Sequence, residues 1–144
     1  MPLRTILLVT LMWVAGPAMA APEQGARSNS PGSMRITTDE SFARDVLEPG
    51  RPAIVEFWAR FCWPCMRLTP HLKNLAAKRG GEVAFWRLNA GWSPESRRKY
   101  GFRAVPTLVF YTEGREIARL EGMPSRSTDA ELERFVERGL RAAH

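Results

Sequence analysis

The apolar positions of the chain alternate between short continuous runs and helical stripes. Ala53-Ile54-Val55-Glu56-Phe57-Trp58, after the turn at Pro49-Gly50, has the apolar, β-branched content of a strand buried on both faces, and Glu56 is its one charged residue. From Cys62 to about Arg79, Leu68, Leu72, Leu75 and Ala76 recur at the spacing of a helix with one buried side, stopped by Gly80-Gly81. Pro70 lies inside that helix and predicts a kink, because its ring removes a hydrogen bond and crowds the carbonyl of Met66.

The same reading extends to both sides. Met34 to Ile36 predicts a short strand, and Thr37-Thr38-Asp39-Glu40 has the Thr-x-x-Glu form that caps a helix carrying Phe42, Val46 and Leu47 on its apolar side. Val83 to Leu88 predicts a further strand, and Ser93-Pro94-Glu95 opens a short helix to about Lys99. Thr107–Tyr111 and Glu116–Leu120 flank Thr112-Glu113-Gly114-Arg115 as an antiparallel hairpin. Thr128-Asp129-Ala130-Glu131 is a second capping box, opening a C-terminal helix with Leu132, Phe135, Val136 and Leu140 on one side. The order βαβαβαββα implies an α/β fold with a central mixed sheet and helices on both faces.

The N-terminal stretch stands outside this pattern. MPLRTILLVTLMWVAGPAMA has one arginine, an apolar run from Ile6 to Ala15 and small residues before Ala21, the form of a cleavable secretory signal over residues 1–20. That run is only about half of the roughly 20 residues needed to cross a bilayer, which disfavours an uncleaved anchor. Residues 21–33 are rich in Pro, Gly and Ser and read as a flexible linker, leaving one domain over 34–144. Export to a bacterial periplasm is expected, since the C-terminal Arg-Ala-Ala-His carries no eukaryotic retention letters.

Charge changes the picture little. The net charge is +6, and 18 of the 21 basic residues are arginines spread from Arg4 to Arg141 with no basic block. A solvated surface is expected from this, with no nucleic-acid partner.

The chemistry sits at the two cysteines of the chain, Cys62 and Cys65, in "RFCWPCM". A bridge between residues three apart constrains almost no chain entropy, so it makes a poor structural staple. A zinc site would need two further ligands, and only His71 and His144 are available, so no metal is expected. Placed between a buried strand and a helix, Cys62 would sit among unpaired backbone N–H groups at the positive end of the helix dipole. Such positions bring a thiol from about 8.5 into the range of roughly 3.5 to 7.5, making it a nucleophile at neutral pH, and Cys65 one turn later can attack the mixed disulfide that results.

"VEFWARFCWPCMRLTP", "YGFRAVPTLVFYTEGREI" and "LEGM" together resemble the thioredoxin family, without an obvious gap from about Ala53 to Gly122. The resemblance implies a thioredoxin-like fold and an oxidoreductase acting on protein disulfides, with no cofactor beyond the Cys62–Cys65 pair. By the same resemblance Cys62 is the attacking cysteine, Cys65 the resolving one and Pro64 the proline between them. Pro106 matches a cis-proline whose preceding Val105 pairs with the substrate chain, and Gly122 lies on the substrate-facing rim. Glu56 matches a buried acid, usually aspartate, that trades a proton with Cys65; burial would raise its pKa. The alternative for Glu56 is an acid pointing to solvent from a strand end. Trp63 stands where glycine is common and Phe61 where tryptophan is. A large indole at 63 serves either as a substrate platform or as a lid over the sulfur, and the sequence leaves both open. Gly91 replaces a common acidic residue.

Pro64 before Cys65 resembles the reducing members, so a reductase is expected, recharged by a membrane electron donor and working as a monomer. A disulfide oxidase or isomerase, or a non-catalytic module binding through Trp63, Val105 and Met123, is the alternative. Trp58, Trp86, Trp92, Phe102 and Tyr111 read as core or rim aromatics.

Overall fold

A computed structural model describes residues 32–91, 94–124 and 128–143 of the chain. The signal and all but the last two residues of the linker lie outside these, as do Trp92, Ser93 and His144.

Five strands alternate with helical segments in the order anticipated. They are β1 (Met34–Thr37), β2 (Ala53–Trp58), β3 (Ala84–Asn89), β4 (Thr107–Thr112) and β5 (Arg115–Glu121). The helices are α1 (Trp63–Arg79), α2 (Pro94–Tyr100) and α3 (Thr128–Ala142), with a π-helical turn, Ala43–Leu47, between β1 and β2. The strands form one sheet in the order β1-β3-β2-β4-β5. β1, β3 and β2 run parallel, whereas β4 is antiparallel to both β2 and β5.

Alternation along β2 divides the core. Ala53, Val55 and Phe57 point into one cluster with Phe42, Val46, Trp86, Tyr100 and Phe102, beneath the π-helical turn and α2. Ile54 points to the other side, where Phe85, Leu108 and Phe110 meet Leu68 and Leu72 of α1 and Leu132, Phe135 and Val136 of α3. The first cluster is aromatic: the Phe57 ring lies 4.8 Å from Tyr100 and 5.5 Å from Phe102 between centroids, within the range at which ring pairs add to simple burial. Trp86 and Tyr111 are buried in it as well.

Three local readings are changed. Thr37 does not cap a helix: it ends β1, buried, with its hydroxyl 3.0 Å from Ser41 Oγ and donating to Asp45 Oδ2. Ser41 Oγ accepts the Thr38 N–H at 3.1 Å, and no side chain caps the Ala43–Leu47 turn. The turn that follows closes by the Glu48 N–H donating to the Ala43 carbonyl, a bond across five residues rather than four. β3 begins at Ala84, one residue late, because Ala84 is the residue that pairs with Ala53. Thr128 is the first helical residue of α3, and the residues before it lie outside the described ones. α1 runs unbroken through Pro70.

The hairpin turn is Glu113-Gly114, with φ of 48° and 73°, so both central residues are left-handed. This is the mirror-image turn whose twist matches the strands it joins, and glycine at its second position carries no Cβ penalty.

Register places the site. Phe57 pairs with Thr107, and Thr107 with Glu121, so the chain leaves β2, enters β4 and leaves β5 at the same end of the sheet. The segment leading to Cys62, the Val105-Pro106 segment and Gly122 therefore converge.

Candidate active site

β2 ends at Trp58, and Ala59, Arg60 and Phe61 carry the chain to Cys62, the N-cap of α1. Phe61 has φ of 60°, a left-handed conformation in which a bulky L-residue is an outlier, and its side chain is 96% exposed. Cys62 itself is extended (φ −89°, ψ 100°), so its sulfur turns back over the first turn of the helix and accepts the Cys65 N–H at 3.3 Å. Pro64 falls in that first turn, where its missing N–H costs no helical bond.

The two cysteines form a disulfide with Cα atoms 5.3 Å apart. Both are buried, Cys65 the more completely. When the bridge is open, a negative sulfur at Cys62 would be held by the Cys65 amide and the unpaired N–H groups of α1. No acidic residue occurs in the first turn of that helix to oppose it.

Across from the bridge, the Val105–Pro106 peptide bond is cis, as the resemblance implied, and the Val105 carbonyl oxygen lies 3.7 Å from Cys62 Sγ. Pro106 is held from behind, since its carbonyl accepts the Gly122 N–H at 2.8 Å. Gly122 has φ of +83°, which glycine alone adopts freely. Trp63, the residue after Cys62, is 66% exposed.

Glu56 points away from solvent: it is fully buried in β2, which removes the solvent-facing alternative. Burial raises its pKa, and the charge and hydrogen bond of Arg87 act in the opposite direction. The parallel register pairs Glu56 with Arg87, whose Nε donates to Glu56 Oε2 at 2.5 Å. The other guanidinium nitrogen, Nη2, reaches Thr69 Oγ1 at 3.3 Å, and that hydroxyl donates to the Cys65 carbonyl at 2.9 Å. A chain of hydrogen bonds thus runs from the buried acid to the backbone of the inner cysteine. The second carboxylate oxygen, Oε1, is buried without a partner among the described residues. The guanidinium also lies over the Trp58 ring, 4.7 Å from its centroid.

Sequence reasoning missed Arg87 and Thr69. The signal was present: Arg87 interrupts the apolar run of β3 as Glu56 interrupts that of β2, and two opposite charges in buried runs are each other's natural partners. His71 joins α1 to α3 through Asp129, with 2.7 Å between Nδ1 and Oδ1. Among the described residues no group of three His, Cys, Asp or Glu is placed to hold a metal ion.

Comparisons agree with this geometry. The family model described as Thioredoxin matches residues 33–138. Thioredoxin of Mycobacterium tuberculosis H37Rv is 33% identical over 90 residues, which is 62% of this chain and 78% of that protein. Thioredoxin of Rhodospirillum rubrum is 38% identical over 85 residues, 59% of this chain and 82% of the relative. In fold, the crystal structure of Malassezia sympodialis thioredoxin matches with a TM-score of 0.62 at 21% identity, over 74% of this chain and 90% of that one.

Proposed function

The chain belongs to the thioredoxin family and is a thiol–disulfide oxidoreductase, and from that premise we propose that it is exported and works there as a reductant of protein disulfides. The observation that carries the exchange chemistry is the position of Cys62: N-cap of α1, sulfur accepting the Cys65 amide, with the Val105 carbonyl 3.7 Å away.

In the reduced protein the Cys62 thiolate attacks one sulfur of a client disulfide. A Cys62–client bond forms, and the client's other sulfur leaves as a thiolate. Cys65 then loses its proton and attacks Cys62 Sγ, closing the Cys62–Cys65 bridge and releasing the second client thiolate. The client gains two electrons, and its two thiolates take up two protons from solvent; the protein ends oxidised, its Cys65 proton passing to Glu56 and on to solvent. Glu56 receives the Cys65 proton, a role supported by its burial under α1 and its link through Arg87 and Thr69 to the Cys65 carbonyl. Val105 presents its backbone to the client chain beside the bridge, as a strand added to the edge, and Trp63 supports the client from the other side.

Export is supported by the form of residues 1–20, and reduction by Pro64 before Cys65. In an oxidising compartment the spent disulfide needs an external electron source, which we place in the membrane.

Insulin reduction driven by dithiothreitol tests the chemistry: the wild type accelerates precipitation, Cys62→Ser does not, and equal rates would remove the reading. The redox potential of the mature chain tests direction. A value near thioredoxin's, about −270 mV, is expected, and one well above about −200 mV would make the protein an oxidant. N-terminal sequencing of the periplasmic protein should begin at Ala21.

A further inference from the structure

The face around Cys62 combines exposed apolar side chains with exposed positive charge. Four large hydrophobic side chains are exposed among the described residues, and three of them, Phe61 (96%), Trp63 (66%) and Met66 (62%), fall within five positions of one another around the attacking sulfur. Exposed apolar residues clustered in this way mark a docking surface. Phe61 is moreover held in a left-handed conformation, so the backbone is strained where its ring faces water.

The charge is distributed with equal bias. Residues 57–81 contain five of the 21 basic residues and none of the 15 acidic ones, leaving 16 basic against 15 acidic elsewhere. Nearly all of the net charge of +6 therefore originates in the active-site loop and α1. At the far end of that helix Arg79 is neutralised by Glu82, Glu133 and Glu137. Near the bridge the situation differs. Arg60 and Arg67 flank the cysteines and are exposed, and among the described residues neither has an ion-pair partner. On the opposite lip, Arg103 is 91% exposed two residues before Val105, with Glu121 its nearest carboxylate at 3.8 Å.

We propose that this surface selects polypeptide disulfides whose cysteine is flanked by an apolar residue and by carboxylate side chains within a few positions. The apolar neighbour rests on Phe61, Trp63 and Met66, and the carboxylates meet Arg60, Arg67 and Arg103. This deepens the exchange reading and rests on it. Exposed charge of one sign around a reactive group acts chiefly on encounter, raising association with opposite charge about tenfold or more at low salt.

The test uses the reduced mature protein and three disulfides: a cystine peptide with leucine beside its cysteines and two flanking glutamates, the same peptide with two lysines, and the neutral bis(2-hydroxyethyl) disulfide. Second-order rate constants are read by chromatography of the released thiols at low and high salt. The glutamate peptide should react about tenfold faster than the lysine peptide at low salt, and the gap should close at about 1 M salt, where the screening length is about 3 Å. The double substitution Arg60→Glu with Arg103→Glu should invert the order of the two peptides. Rates for the two peptides within twofold at low salt, with the neutral disulfide still reduced, would overturn the charge selectivity. Failure to reduce any of the three would instead overturn the exchange reading beneath it.

Discussion

Replacing Arg87 by methionine isolates the energetics of the buried acid. Methionine keeps an unbranched apolar stem against Trp58 but removes the guanidinium, and with it both influences that lower the Glu56 pKa, leaving only the burial that raises it. Glu56 Oε2 would lose its 2.5 Å bond, and Oε1 has no partner among the described residues, so an ionised carboxylate would stand alone in the core. Removing one partner of a buried pair costs about 3–5 kcal/mol, a large share of the roughly 5–15 kcal/mol that hold a domain folded. The loss must depend on pH. A carboxyl whose pKa is raised by folding stabilises the fold fully below its ordinary value of 4.5, and that contribution is lost as pH rises through the raised value. Arg87→Met moves the raised value further up, so its destabilisation is smallest near pH 4.5 and grows towards about 3–5 kcal/mol at pH 8. Urea unfolding of the wild type and the variant across that interval, at unchanged denaturant slope, reads this directly. Glu56→Gln in the Arg87→Met background should restore more than half of the loss at pH 8, because the stranded charge is gone. A destabilisation independent of pH, or a double variant no more stable than Arg87→Met, would refute the reasoning. In function, loss of the guanidinium favours the protonated form of Glu56, which cannot accept the Cys65 proton, so Arg87→Met should accumulate the Cys62–client mixed disulfide on non-reducing gels.

Three substitutions separate other causes. Gly139→Ala would place its Cβ 2.3 Å from Phe110 Cδ2 in the α3–β4 packing, and overpacking of this kind should cost about 1–3 kcal/mol despite alanine's better helix propensity, read as a lower Tm with exchange activity at room temperature retained. Gly122→Val meets nothing within 4 Å, so its cost comes from φ of +83° alone, about 1–2 kcal/mol, and the strained link to Pro106 should raise the KM for peptide disulfides; unchanged stability would sink the argument. Phe61→Gly removes a large hydrophobic residue that buries almost nothing and relieves the left-handed strain, so denaturation should show stability held or slightly raised while client KM rises.

What the sequence disclosed followed from what each residue is near in the chain. The bounds of β2 were legible because a six-residue apolar run between turn residues fits few other structures. The order of the elements followed from period alone, and the cysteine pair from its place between strand and helix. The cis bond at Pro106 came from family resemblance and no local signal. Thr37 was misplaced because Thr37-Thr38-Asp39-Glu40 satisfies local capping chemistry, and only the pairing of Thr37 with Leu88 puts it in the sheet. Arg87 was missed for the same reason: its partner is 31 residues away, and the contact exists only through the parallel register of β2 with β3.

The same register explains why so much irregularity collects at one end of the sheet. Phe57 is buried on β2, its partner Thr107 adjoins the cis-proline segment and Thr107's own partner Glu121 leads into Gly122, so three irregular segments are anchored to one row of backbone pairs. A left-handed Phe61 disfavours the folded state locally, and it persists because the strands beneath it are fixed from both faces by the two core clusters. Glu56 and Arg87 lie in the layer just below, where a slip of one residue between β2 and β3 would turn one of them to the wrong face and separate the pair. The pair linked through Thr69 to the backbone of the inner cysteine thus depends on the register that builds the site: the carboxylate is tolerable at that depth only because the fold has already delivered its cation.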